Sequence, residues 1–169
     1  MADRLAAGET GFALRFPLEG FREVRNPFGQ ARLAGVDLND LYREDPEVGA
    51  AKVAEYASAI SGGTPTVYVL EGAEPALCSP MQYGGQYLET DRETLARLCE
   101  HSTVVLKVEG GEGAYLDFVR DLPANVFVWD AQATGFSLSQ MRALREGPLA
   151  TNEAGADYQL EISAAEAVA

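Results

Sequence analysis

Thr103–Trp129, TVVLKVEGGEGAYLDFVRDLPANVFVW, carries the strongest architectural signal in the chain. Thr103 to Val108 is short and nearly all apolar, the pattern of a strand buried on both faces of a parallel sheet. Tyr115, Leu116, Phe118 and Val119 mark a short helix. Asn125 to Trp129 is then a second apolar strand. Strand, helix and strand in close succession predict a parallel sheet with right-handed crossovers.

The same rhythm extends in both directions. Upstream, Thr66 to Leu70 is β-branched and aromatic and predicts another strand. After it comes a long loop, Glu71 to Leu88, with two prolines, Gly84-Gly85 and two tyrosines. Thr90-Asp91-Arg92-Glu93 has the spacing of a capping box and opens a helix that buries Leu95 and Leu98. Downstream, Ser137-Leu138-Ser139-Gln140 is a second capping box, whose helix buries Leu138, Met141 and Leu144. Leu149 to Thr151 is a short strand, and Ser163-Ala164-Ala165-Glu166 can cap a last helix. Near the N-terminus Phe12, Leu14, Phe16 and Leu18 alternate as in a strand, and Pro17 marks it as an edge or a strand end. Residues 19–44 read as irregular, broken by Gly20, Pro27, Gly29 and Gly35. Asp45-Pro46-Glu47 opens a helix that Gly62-Gly63 ends. Residues 1–10 are small and polar and read as a flexible leader, leaving 11–169 as one α/β domain.

Composition sets broad limits. The chain has 169 residues, 47% apolar and 23% charged, ordinary for a packed globular domain. No run of apolar residues is long enough for a membrane span, and no basic and apolar leader marks a signal peptide. Thirteen basic residues against 26 acidic ones give a formal net charge of −13. Such a field repels phosphate backbones, so neither nucleic acid nor an anionic membrane is an expected partner. Arg4, Arg15, Arg22, Arg25 and Arg32 gather in the first 35 residues, and a local anion site there is one expectation. Two cysteines, Cys78 and Cys99, are too few for a disulfide framework and read as reduced thiols in a cytoplasmic protein. His101 suits a helix C-terminus. Cys78, Cys99 and His101 do not make a metal site, because Cys99 and His101 precede their strand and lie at its wrong end.

Two runs resemble a known family. Leu122-Pro123-Ala124-Asn125-Val126-Phe127-Val128-Trp129-Asp130 with Thr134-Gly135-Phe136-Ser137-Leu138 resembles the late strand and helix start of uroporphyrinogen decarboxylase-like proteins. Val104-Val105-Leu106-Lys107-Val108-Glu109-Gly110 resembles the strand before it. Asp40 to Glu47 is similar to an early helix start of that family. The match is clearest over residues 100–155. Phe136 stands where the family has Pro, and Lys107 or Glu109 where it has a His. The family's arginine-rich substrate motif has only a faint echo in Gly29-Gln30-Ala31-Arg32. The His-x-Cys zinc site of the related methyltransferases is missing. The resemblance implies a (β/α)₈ barrel, but that fold needs about 250 residues. The expectation is therefore half a TIM-type barrel that pairs with another copy, or an open parallel sheet. Exposed sheet edges make a homo-oligomer the expected state.

In parallel α/β folds, ligands bind at the carboxyl ends of strands. That rule selects Glu109, Asp130 and Glu153 as catalytic candidates. It selects Glu71, Trp129 and Asn152 as substrate-binding candidates, and Tyr83 joins them as a ring that can stack on a flat ligand. Crowded carboxylates raise one another's pKa and suit acid–base work, or else recruit a hard cation; loop acids in so acidic a chain can also be mere surface. Two functions stay open. One is a small-molecule enzyme or ligand-binding module of decarboxylase or methyltransferase type, acting on a carboxylated or methylated substrate. The other is a non-catalytic half-barrel serving assembly or interaction. The sequence names no cofactor.

Overall fold

The computed structural model describes residues 11–15, 18–35 and 65–163. Seven strands form one sheet: β1 (Gly11–Arg15), β2 (Arg22–Arg25), β3 (Thr66–Leu70), β4 (Val104–Val108), β5 (Val126–Trp129), β6 (Leu149–Thr151) and β7 (Gln159–Ser163). Their order is β1-β7-β6-β5-β4-β3-β2. Strands β2 to β6 are parallel and lie side by side in chain order. Strand β7 then returns antiparallel along β6, and β1 pairs antiparallel with β7. The fold is therefore α/β with an open sheet. Its parallel part has the sequential strand order of a barrel segment, and the antiparallel pair ends that progression.

Sequential order with crossovers of one hand gathers the helices on one side. Alternation along each strand then sorts the side chains. Tyr68, Leu70, Leu106, Phe127 and Trp129 face the helices and pack with Leu95, Leu98, Leu116 and Met141 in the main core. Val67, Val69, Val105, Val128 and Ala150 face the other way and pack with Phe21, Tyr158 and Leu160. Both faces of the central strands are buried, which is why those strands read as continuous apolar runs.

Two expectations change. Residues 19–44 are not all irregular: they contain β2 and helix α1 (Pro27–Ala34). Asn26 caps α1, Pro27 occupies its first turn, and Gly35 ends it at φ 68°. These are ordinary start and stop signals of a helix. The loop after β3 is shorter than expected. Ser79 and Gln82 form a capping box that opens α2 (Pro80–Gln82), a π-helical turn comes next at Tyr83–Tyr87, and α3 (Leu88–His101) continues from it. Thr90 is thus inside α3 and caps nothing. Asp91 turns inward with Thr94, Leu95 and Leu98, the spacing of one helix face. Ser163 ends strand β7, and the last helix expected after it falls outside the described residues.

The helices α4 (Leu116–Val119), α5 (Ala131–Thr134) and α6 (Leu138–Leu144) complete the crossovers, and the Ser137–Gln140 box caps α6 as expected. The strands expected at 66–70, 103–108, 125–129 and 149–151 match β3, β4, β5 and β6 to within one residue. The leader 1–10, the helix expected from Asp45, the resemblance at Asp40–Glu47, Pro17 and residues 164–169 lie outside the described residues. Among the described residues, no helix is long and apolar enough to cross a membrane.

Candidate functional site

The register of the parallel strands builds a row of polar residues. Leu70 is level with Val108, Val108 with Trp129, and Trp129 with Thr151. The next residue in each strand direction is Glu71, Glu109, Asp130 and Asn152, and the Glu109 amide still donates to the Leu70 carbonyl at 2.9 Å. Neighbouring strands lie about 4.8 Å apart. Glu71, Glu109 and Asp130 therefore succeed one another at steps of about 5 Å along the rim. Arg25 is one level lower, beside Val69, which in turn is level with Lys107. All these residues share the face away from the helices.

The charged groups of β2, β3 and β4 pair with each other across the strands. Arg25 Nη1 donates to Glu71 Oε1 and lies 3.5 Å from Glu109 Oε2. Its Nη2 is 2.9 Å from Glu23. Lys107 Nζ lies 3.4 Å from the other oxygen of Glu109. Arg32, on α1, places Nη1 3.4 Å from Glu71 Oε2. Glu71 is buried, with 4% of its surface exposed, and its Oε2 has no hydrogen-bond partner. Its backbone is clamped by Asn26, whose Nδ2 donates to the Glu71 carbonyl at 2.7 Å and whose Oδ1 accepts from the Glu71 amide at 3.1 Å. Just beyond, Gly72 adopts φ +102°, and a Cβ there would meet the Phe28 ring at 2.4 Å, so only glycine lets the chain turn beside α1.

This environment splits the two glutamates. Burial raises the Glu71 carboxyl, and a hydrogen bond shared with Glu109 raises it further, against the pull of Arg32 and Arg25. Burial also acts upward on Glu109, but that shared hydrogen bond, Lys107 and Arg25 outweigh it and hold Glu109 low. One carboxyl is thus poised to keep a proton while its neighbour stays ionised, the pattern that separates an acid from a base. Arg25 stays charged, because Glu109, Glu71 and Glu23 overcome its partial burial.

On the far side of the row, Tyr158 precedes Gln159, which is level with Thr151. Its phenol is pushed up by burial and then by the charges of Asp130 and Glu109, so those two carboxylates act on one group. Sequence reasoning missed Tyr158, because β7 was not expected. It also missed Arg25 as an individual, although the arginine cluster pointed to its neighbourhood.

The remaining candidates are placed differently. Asp130 Oδ1 accepts from the Ala133 amide at 2.7 Å and caps α5. Glu153 Oε2 accepts from the Leu138 amide at 2.7 Å, at the start of α6. Asn152 Oδ1 accepts from the Ala131 amide at 2.9 Å. Trp129 points to the helical face, fully buried, with Nε1 donating to the Phe136 carbonyl at 2.8 Å. Tyr83 is fully buried on the same side and hydrogen-bonds Asp91 at 3.0 Å. Neither ring reaches the rim, because Trp129 and Tyr83 lie on the opposite side of the sheet from Glu71. Cys78 is buried and donates to the Gly72 carbonyl, and burial pushes its thiol up, away from nucleophilic reactivity. No family model, curated protein or solved structure matches the chain.

Proposed function

We propose that the rim of β2, β3 and β4 binds a small carboxylated molecule and exchanges a proton with it. The observation that carries this reading is the buried Glu71 carboxyl, coupled to Glu109 and bridged by Arg25. With a proton on Glu71, the anions that Arg25, Arg32 and Lys107 meet among the described residues are Glu23 and Glu109. A carboxylate ligand supplies the missing negative charge, and a guanidinium can hold it through two parallel hydrogen bonds. Those cations already neutralise the glutamates, which favours acid–base work over capture of a hard cation.

The resemblance to uroporphyrinogen decarboxylase-like proteins supports decarboxylation as the reaction class. In such a step the bond from carbon to the carboxylate breaks and CO₂ leaves. The electron pair stays on the carbon, which must adjoin a group able to delocalise it. Glu71 then delivers its proton to that carbon and regains one from water. Isothermal titration with small mono-, di- and tricarboxylates, run at several pH values, tests the binding. The expected result is saturable heat that weakens about tenfold in Arg32→Gln and in Lys107→Met, a loss of about 1.4 kcal/mol each. Equal heats for all three proteins, or none for the unaltered chain, would overturn it.

A second reading is favoured by the sheet edges. Among the described residues, β1 and β2 each have one neighbour in the sheet, and open edges pair readily with another copy. Light scattering tests this: a dimer supports assembly at an edge, and a monomer of 18.1 kDa contradicts it.

A further inference from the structure

Lysine is scarce in this chain: two of its 13 basic residues are lysines, Lys52 and Lys107, and the rest are arginines. Lys107 sits inside β4, where Val104, Val105, Leu106 and Val108 are all buried. Its neighbours in register, Val69 and Val128, are fully buried on the same face of the sheet. An apolar side chain there would extend that floor without burying a polar group. An arginine would pair with Glu109 through two parallel hydrogen bonds, where the lysine makes one. What lysine offers and arginine does not is an amine that can give up its proton and act as a nucleophile.

The surroundings suit that use. Lys107 Nζ is 3.4 Å from Glu109 Oε1, and Arg25 Nη1 is 3.5 Å from Glu109 Oε2. An amine and a guanidinium therefore stand at the two oxygens of one carboxylate. A β-keto acid carries a matching pair of groups, a ketone and a carboxylate separated by a single carbon. Its carboxylate can take the place of Glu109 on Arg25, which brings its ketone toward Nζ. The Lys107 side chain keeps 24% of its surface exposed, so a small molecule on the rim can reach the amine. Glu71, the proton donor of the proposed site, bonds to the same Arg25.

We infer that Lys107 forms an imine with the ketone of a small β-keto acid held by Arg25, and that this imine is the electron sink for decarboxylation at the rim. The inference rests on the reading of the rim as an acid–base carboxylate site and names its substrate class. Nζ sheds a proton to Glu109 and attacks the ketone carbon. The carbonyl oxygen takes up that proton and the second one from nitrogen, leaves as water, and an iminium results. The bond to the carboxylate then breaks, CO₂ leaves, and the electron pair runs into the iminium to form an enamine. Glu71 protonates the enamine carbon. Water adds to the iminium so formed, the ketone departs, and the Lys107 amine is restored. No oxidant or reductant is consumed.

Trapping tests this on the full chain. The protein is incubated with acetoacetate and sodium cyanoborohydride, which reduces an iminium to a stable secondary amine, and peptide mass mapping finds the modified lysine. The expected result is an adduct on Lys107 and not on Lys52, with the mass of the decarboxylated ketone. Acetone, which has no carboxylate for Arg25, should label Lys107 less. The adduct should be lost in Lys107→Arg, which keeps the positive charge. No adduct, or equal modification of Lys52 and Lys107, overturns the inference, and an adduct that always retains the carboxyl group overturns the decarboxylation step. The comparison of Lys52 with Lys107 in the unaltered chain decides even if the variant does not fold. Saturable heat from simple carboxylates with no adduct removes the imine and leaves the carboxylate site standing. An adduct without such heat removes the site reading and leaves the Lys107 chemistry standing.

Discussion

The two halves of the rim begin from the same sequence cue and end in different chemistry. Glu71, Glu109 and Asp130 each stand immediately after an apolar parallel strand. On β3 and β4 the carboxylates reach sideways to Arg25, Lys107 and each other. On β5, Asp130 reaches forward to an amide that opens α5, and beyond β6 Glu153 reaches back across the sheet end to the Leu138 amide that opens α6. The difference lies in the segment that each strand leads into. After Asp130 the chain turns at once into a helix, whose unsatisfied N–H groups are the nearest partners for a carboxylate. After Glu71 and Glu109 come Gly72 and Gly110, and neither carboxylate bonds to a helix amide. An acid at a strand end is thus a cap where a helix starts next to it, and a candidate site group where none does.

Four substitutions put this contrast at risk. The strongest response is expected beneath the β2–β4 half, at Asp91. Burial raises its folded-state pKa to about 6, even though Tyr68, Tyr83 and Asn26 pull the other way. The unfolded value is about 3.9, so the folded chain binds this proton more tightly than the unfolded one. The stability so contributed is complete below about pH 4 and is lost as pH rises through about 6. The amount is about 3 kcal/mol. Urea unfolding of the unaltered chain and of Asp91→Asn should show a difference in stability that changes across this window. A pH-independent difference would mean that Asp91 does not titrate there.

Next in size is Asn26→Ala, which loses a helix cap and leaves the Glu71 amide and carbonyl unsatisfied. We expect destabilisation of about 2–3 kcal/mol in urea. A loss under about 0.5 kcal/mol would show that the clamp is dispensable. In the other half, Asp130→Ala should cost about 1 kcal/mol, the usual value of a cap, and leave the Glu71 and Glu109 titrations as they were. A shift of either titration would merge the two halves into one site. Glu153→Gln keeps an acceptor for the Leu138 amide, and its effect should stay within about 0.5 kcal/mol in the same assay.

Legibility in the sequence divides along the same line. The parallel core was readable because β3, β4 and β5 are buried on both faces, which leaves unbroken apolar runs such as Val104-Val105-Leu106. The α6 box was readable because capping is local. The Thr90 box misled for a tertiary reason: Ser79 and Gln82 had already started the helix, and Asp91 was drawn inward by Tyr68 and Tyr83. Pairing of Arg25 with Glu71 and Glu109 spans separations of 46 and 84 residues, and no local pattern encodes it. Strand-end position did select Glu71 and Glu109. Tyr83 was selected by residue type and Trp129 by strand-end position, where face alternation from Leu106 and Phe127 would have assigned it to the core.

Everything proposed for the rim depends on Glu71 and Glu109 forming a coupled acid pair whose members titrate apart. Carboxyl NMR titration of the unaltered chain and of Glu109→Gln decides whether they do. Glu71 should lie above and Glu109 below the ordinary glutamate range, with Glu71 falling in Glu109→Gln, where an amide donor replaces the shared proton. Two glutamates that titrate together at about 4.3, with Glu71 unmoved by Glu109→Gln, would contradict it.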